Sequence, residues 1–187
     1  MSKWLNEIEL EGDLVRLVPL RKEHRDDLVL AAADGELWKC WYTSVPSEKT
    51  IDNYIDFVLG EWEKDRALPF VVVEKKTNKV IGSTRFCNAT PEHRRAEIGY
   101  TWYAQSYQRT GVNTECKYLL LTHAFDTLDS IAVEFRTHWH NTASRNAIAR
   151  LGAKQDGVLR NHQIVFSILR DEWEVVKKSL HYKMNHY

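Results

Sequence analysis

The chain has 187 residues, 43% of them hydrophobic, enough for one domain over 1–187 with a substantial core and too few for two. Its 26 basic residues balance 26 acidic ones, so no long-range field draws it to nucleic acid or an anionic membrane, and an anionic ligand must be gripped locally. Three scattered cysteines, Cys40, Cys87 and Cys116, with no C-x-x-C pair, point away from a disulfide framework or zinc site and towards a reducing cytoplasm, and no apolar run approaches the ~18 residues of a spanning helix.

Leu14 to Leu20 reads as a strand closed by Pro19, and residues 22–33 read as a short helix burying Leu28, Ala31 and Ala32. Ile51, Tyr54, Ile55, Val58, Leu59 and Trp62 form one apolar stripe at helical spacing, with Ser47 as its cap. The aromatic stretch WKCWYTSVP between them fits neither helix. Three strands follow as an antiparallel meander: Phe70 to Val73, Val80 to Phe86 after a turn at Asn78, and Arg94 to Tyr103. Alternation along the third predicts Ala96, Ile98, Tyr100 and Trp102 on one face, with Glu97, Gly99, Thr101 and Tyr103 on the other. A helix follows with Val112, Cys116, Leu119, Leu120, Ala124 and Phe125 on one side, then a strand from Ile131 to Trp139. Asn141 opens a helix with Ala147, Ile148 and Leu151 inward, stopped by Gly152. Val158 to Arg160 and Ile164 to Leu169 are strands, and Trp173, Val176 and Leu180 mark a last helix. This order, β-α-α-β-β-β-α-β-α-β-β-α, predicts a mixed α/β fold.

The helix after Tyr103 begins oddly. Gln108-Arg109-Thr110-Gly111-Val112-Asn113 contains no self-sufficient N-cap, and a helix start leaves about four backbone N–H groups without partners. A chain entering through Gly111 can turn those donors onto one bound group, and Arg109 with the helix dipole makes that group an anion. The spacing matches neither the P-loop nor the dinucleotide fingerprint. The plainer alternative is that Gly111 only turns the chain and Asn113, Thr114 and Glu115 cap the helix.

The stretch resembles the pyrophosphate loop of the GNAT superfamily of acyl-CoA-dependent N-acyltransferases, Gln/Arg-x-x-Gly-x-Gly/Ala between a strand and a helix. Here it follows AEIGYTWYAQSY, similar to that family's fourth strand, and precedes VEFRTHWHNTASRNAIARLGAKQDGVLR, similar to its fifth strand, next helix and sixth strand. Asn141-x-x-Ser144, Leu151-Gly152-Ala153 and the opening LEGDLVRLVPLRKEH resemble the RimJ/RimL-type branch. One position departs from the pattern: Asn113 stands where the loop has its second small residue.

The resemblance implies a mostly antiparallel sheet of about six to seven strands with flanking helices, whose fourth and fifth strands splay to admit the pantetheine arm of acetyl-CoA. Tyr100, Thr101 and Trp102 would then lie beside the acyl group and arm, and Arg109, Thr110, Gly111, Val112, Asn113 and Thr114 around the pyrophosphate. It also implies direct attack on the thioester by an amine. Glu97 is the candidate general base, directly or through water, the alternative being an exposed strand carboxylate paired with Arg95 or another cation. Ser144 is the candidate proton donor to the thiolate and Asn141 the candidate pantetheine contact, although both residue types are ordinary helix caps. Trp38, Trp41, Tyr42 and His138 are candidates for the acceptor pocket, with Trp102, Trp139 and His140 as further aromatic neighbours. No metal is expected from His138 and His140 alone.

The acceptor is expected to be a protein N-terminus or a small-molecule amine, without nucleic acid or membrane, and a homodimer would be in keeping with relatives. The alternative function is a non-catalytic acyl-CoA sensor, which would keep the loop and have no use for Glu97 or Ser144. One stretch reads badly. Two apolar runs meet across Arg160 to Gln163 with only Asn161 as a turn former, and similar sequences carry a longer connection, so loop residues are expected to be missing between Gln163 and Ile164.

Overall fold

A computed structural model describes residues 3–186. The strands are β1 Leu10–Glu11, β2 Val15–Pro19, β3 Leu68–Glu74, β4 Lys79–Thr90, β5 Arg95–Tyr103, β6 Ala132–His138, β7 Lys154–Leu159 and β8 Gln163–Leu169. The helices are α1 Arg25–Ala33, α2 Ile51–Glu63, α3 Val112–Thr122, α4 Thr142–Arg150 and α5 Arg170–Met184. All eight strands join one sheet in the order β1-β2-β3-β4-β5-β6-β8-β7. The two-residue β1 and the earlier start of β7 make it larger than expected, with the element order otherwise as predicted.

Every pairing is antiparallel except β5 with β6. That exception follows from the chain path, because α3 carries the chain across one face and returns it parallel. Two apolar clusters lie on the two sides of the sheet. Cys116 and Leu120 of α3, Ile148 of α4 and Trp173 of α5 pack with Phe70, Val72 and Phe86, while Leu28, Ile55 and Val58 of α1 and α2 pack with Val71 and Val73. The unbroken apolar run in β3 is thus a central strand covered on both faces.

Several local expectations are corrected. Ser47 does not cap α2 with its hydroxyl; its carbonyl accepts the Thr50 and Ile51 N–H groups at 2.9 Å, and its own N–H donates to the Thr50 hydroxyl. Ile131 and Trp139 fall outside β6 and are exposed. Gln163 and Ile164 are successive strand residues facing His138 and Thr137 in unbroken register, so no residues are missing between them. The short hairpin closes because His162 takes the left-handed conformation, φ 67°, that glycine or asparagine usually supplies. Among the described residues no helix is long and apolar enough to cross a membrane.

The largest correction concerns β5. Gly99 faces Arg85 while Trp102 faces Ser83, so three steps on β5 oppose two on β4, a bulge, and Tyr100 within it has φ 50°. A bulge reverses the alternation beyond it. Ala96 and Ile98 therefore share the α3 side with Tyr103, and Trp102 lies on the α1–α2 side in the other cluster. The single-face grouping of Ala96, Ile98, Tyr100 and Trp102 does not hold.

Candidate active site

β5 and β6 pair only through Arg95–Ala132, Ala96–Val133 and Glu97–Glu134. Beyond Glu97 the two strands run on without pairing, β5 to Tyr103 and β6 to His138, and leave a gap between them. Tyr103 and Trp102 still pair with Gly82 and Ser83 of β4, so the opposite edge of this segment offers its backbone to the gap. Tyr100 is 46% exposed at the bulge, whereas the Trp102 ring is 8% exposed in the core below α1 and α2. At Trp102 the backbone, and not the indole, borders the gap.

The start of α3 carries the donors anticipated for an anion. Its N-cap is Gly111, with no side-chain cap. Val112 N–H reaches Thr110 Oγ1 at 3.3 Å and Glu115 N–H bonds the Gly111 carbonyl at 3.0 Å, while Asn113 and Thr114 N–H have no partner among the described residues. Asn113, Thr114 and Glu115 therefore do not form a side-chain cap. Gly111 itself is ordinary right-handed backbone, φ −68°, so it is not there to supply an unusual turn; the left-handed residue is Arg109, φ 60°. Arg109 and Thr110 are exposed, and the Thr110 hydroxyl donates to the Tyr107 carbonyl at 2.7 Å.

Glu97 sits at the apex of the gap, on the last paired row, and is 6% exposed. Asn88 Nδ2 donates to its Oε2 at 2.8 Å, and Arg136 Nε stands 3.4 Å from the same oxygen. Burial raises its pKa above the usual carboxylate value, partly opposed by the Asn88 bond and by the charges of Arg136 and Arg85. The plainer reading, an exposed strand carboxylate paired with Arg95 or another cation, holds in part: Glu97 is buried and Arg95 pairs with Glu134, but Arg136 is the cation beside it. Asn88 and Arg136 were not legible as its partners, because one lies at a strand irregularity, φ 47°, and the other on a strand separated in sequence.

At the far lip of the gap, past the end of β6, Asn141 is the N-cap of α4, its Oδ1 accepting from Ser144 N–H at 3.0 Å. The capping role is thus real, and it leaves the Asn141 Nδ2 and the half-buried Ser144 hydroxyl without protein partners among the described residues. The α1–α2 connection brings Trp41 and Tyr42 to His138, with ring centroids 5.1 and 6.1 Å away. His140 joins them at 5.8 Å from Trp41. Trp38 instead packs on the α1–α2 core, and Trp139 lies under Arg145. Among the described residues no cluster of His, Cys, Asp or Glu is arranged to hold a metal ion.

Two buried charges in α3 were unforeseen. Glu115 accepts the N–H groups of Asp13, Leu14 and Val15 at 2.8 to 2.9 Å. A Cβ at Gly12 would stand 2.5 Å from its carboxyl carbon, so glycine is required there for close approach. Lys117, 4% exposed, reaches the hydroxyls of Thr84 and Thr101, and burial pulls its pKa down to about 8.

A family model described as an acetyltransferase (GNAT) domain matches residues 15–154. The chain is 26% identical over 146 residues, 72% of its length and 79% of the other's, to a Bacillus subtilis (strain 168) protein provisionally named ribosomal N-acetyltransferase YdaF. A GCN5-related N-acetyltransferase from Brucella melitensis superposes with a TM-score of 0.85, covering 98% of this chain and 87% of that one at 26% identity. Mycobacterium smegmatis RimJ in complex with CoA-disulfide gives 0.77 over 90% and 88% at 21% identity, a likeness of fold.

Proposed function

The chain belongs to the GNAT family of acetyltransferases, and from that premise we propose that it moves the acetyl group of acetyl-CoA onto a primary amine by direct attack in a ternary complex. The observation that carries this reading is the conjunction at one gap: strands that part after Glu97, free N–H groups at the start of α3, and a buried carboxylate at the apex. The pyrophosphate is held by the N–H groups of Asn113 and Thr114, with Arg109, Thr110, Gly111 and Val112 around it; each charge-assisted bond contributes about 1.5–3 kcal/mol. The pantetheine lies along the backbone edge of Tyr100, Thr101 and Trp102, with Asn141 Nδ2 as a donor from the other lip. When bound, acetyl-CoA supplies an activated acyl carbon.

The amine nitrogen attacks that carbon, the carbonyl electrons move onto oxygen, and Glu97 takes the amine proton directly or through one water. The raised basicity that burial imposes on Glu97 suits the task, since a carboxylate of ordinary pKa is a weak base towards an ammonium. The carbonyl reforms, the C–S bond breaks, and the thiolate takes a proton relayed through the Ser144 hydroxyl, which regains one from solvent water. Trp41, Tyr42 and His138 form the rim past which the acceptor enters, whereas Trp38 supports that rim from the core. An α-amine of pKa near ~8 is roughly a tenth neutral at pH 7, so an N-terminus or a small α-amine reacts more readily than lysine. The likeness to a protein named as a ribosomal N-acetyltransferase supports a protein as one acceptor, and a small amine is the other.

The test is mass spectrometry after incubation with heavy-labelled acetyl-CoA and a panel of peptides and small amines. A label on at least one α-amine is expected. Tight CoA binding with no transfer to any acceptor would make the protein a non-catalytic acyl-CoA binder.

A further inference from the structure

Arg85 lies on β4 directly opposite Gly99 of β5, two residues from Cys87, which faces Glu97. Arg85 and Glu97 therefore point to the same side of the sheet, one same-face step apart, roughly 7 Å along the strands. The Arg85 side chain is covered by rings: its guanidinium carbon is 3.5 Å from the Tyr100 centroid and 5.7 Å from that of Tyr54. It is 3% exposed, and its Nε and Nη1 are sealed from solvent without any partner among the described residues. It forms no ion pair with Glu97, whose carboxylate is held by Asn88 and Arg136.

This is an unusual state for a guanidinium. It does not deprotonate in proteins, so it cannot escape burial by losing its charge. The aromatic faces satisfy its plane and leave its edge, where the N–H donors point, unmet. An edge of that kind matches the two oxygens of a carboxylate, which accept from it side by side. The ring above it belongs to Tyr100, the bulged, half-exposed residue at the mouth of the gap.

We infer that Arg85 receives a carboxylate of the acceptor, so that the amine acetylated here belongs to a molecule bearing a carboxylate a few bonds away, as in a free amino acid or a peptide beginning with an acidic residue. This rests on Glu97 being the end of the gap where the amine reacts. The acceptor carboxylate slides under Tyr100 to the guanidinium edge, and its amine then lies against Glu97. The other source of a carboxylate is the acyl chain of a dicarboxylic thioester. The acceptor is favoured because Arg85 shares its face with the proton-accepting group.

The test compares acceptors that differ only in the carboxylate: an amino acid with its carboxamide, and peptides beginning with Asp or Glu with those beginning with Asn or Gln. With acetyl-CoA, the carboxylate member is expected to lead by about 10- to 100-fold in kcat/KM. Arg85→Gln should erase that lead mainly through KM and, compared on the high-pH plateau where Glu97 is ionised with or without the Arg85 charge, leave the neutral acceptors within about threefold of wild type. Arg85→Lys, which keeps the charge and loses the planar fork, should keep only part of it. Equal rates in wild type, or a preference that survives Arg85→Gln, would overturn the proposal. So would an Arg85-dependent preference for succinyl-CoA over acetyl-CoA with neutral amines. If no amine is acetylated at all, the enzymatic reading fails separately. The Arg85 proposal is then read from calorimetry of the CoA-loaded protein with the same compounds: carboxylate-selective uptake lost in Arg85→Gln upholds it, and uptake indifferent to the carboxylate sinks it.

Discussion

Two glutamates, Glu97 and Glu115, are buried to the same depth, 6% and 5% exposed, yet their surroundings give them opposite roles. Glu115 accepts three backbone N–H groups from the turn into β2 and the first residue of that strand, where Gly12 makes room for it, and is fastened into the fold. Glu97 has one side-chain amide and a longer approach from Arg136, both on Oε2. Its Oε1 has no hydrogen bond to any described residue, and its pKa is raised by burial. A buried carboxylate surrounded by donors is a structural element; one left half-satisfied beside an open gap is equipped to take a proton.

Exchanging each for a neutral residue is the most direct way to break this contrast. Glu97→Gln should lower kcat/KM by about 10²- to 10⁴-fold, roughly 3–5 kcal/mol on the barrier, with CoA binding retained. A loss below tenfold with an acceptor of low pKa would reduce Glu97 to a structural carboxylate like its counterpart. Glu115→Ala should leave activity per folded molecule unchanged and cost about 3–5 kcal/mol of stability in urea titration, since it strands three donors. A stability loss under about 1 kcal/mol would mean that water replaces the carboxylate and that the fastening is dispensable.

How far these roles can be read from the chain depends on sequence distance. The element order, the α3 helix and its unusual start follow from periodicity and capping chemistry within a few residues. The opening stretch Gly12-Asp13-Leu14-Val15 and Glu115 stood in separate motifs, about a hundred positions apart, and only the fold joins them. The faces of β5 were misread because the positive φ falls on Tyr100, not on a glycine, and nothing local marks that bulge. Arg109 and His162 hide left-handed turns in the same way. Arg85 and Lys117 were passed over because arginine and lysine are ordinarily read as surface residues, and only the layers packed over them reveal burial.

Lys117 sharpens the contrast from the cationic side. Its pKa, about 8, is below the ordinary 10.5. Between those values the unfolded chain binds more protons, so the lysine's penalty is full below about pH 8 and fades as pH rises towards 10.5. Cys87 and Cys116, both pushed up to about 12 by burial, act oppositely: above their ordinary 9.0 the unfolded thiols ionise first and stability falls. The lysine is therefore isolated by subtracting the Lys117→Met stability profile from that of wild type. The variant should be more stable by roughly 2–3 kcal/mol at pH 7, the difference shrinking towards pH 10. A variant that is less stable at pH 7 would show that the bonds to Thr84 and Thr101 outweigh desolvation.

The smallest effect bears most directly on why Glu97 differs from Glu115. Asn88 donates to the ionised form of Glu97 and so holds its pKa below where burial alone would set it. Asn88 has φ 47°, a conformation that glycine accepts without strain, so Asn88→Gly removes the amide with little disturbance to the backbone. Losing a bond to the charged form raises the pKa. Activity requires the ionised carboxylate, so the acid limb of kcat/KM should move upward by about one pH unit, with the plateau at high pH near wild type. A limb that stays in place would mean that the charges of Arg136 and Arg85, and not the amide, offset burial at Glu97. A downward shift would mean that the amide favours the protonated carboxyl and does not help to hold the base ionised.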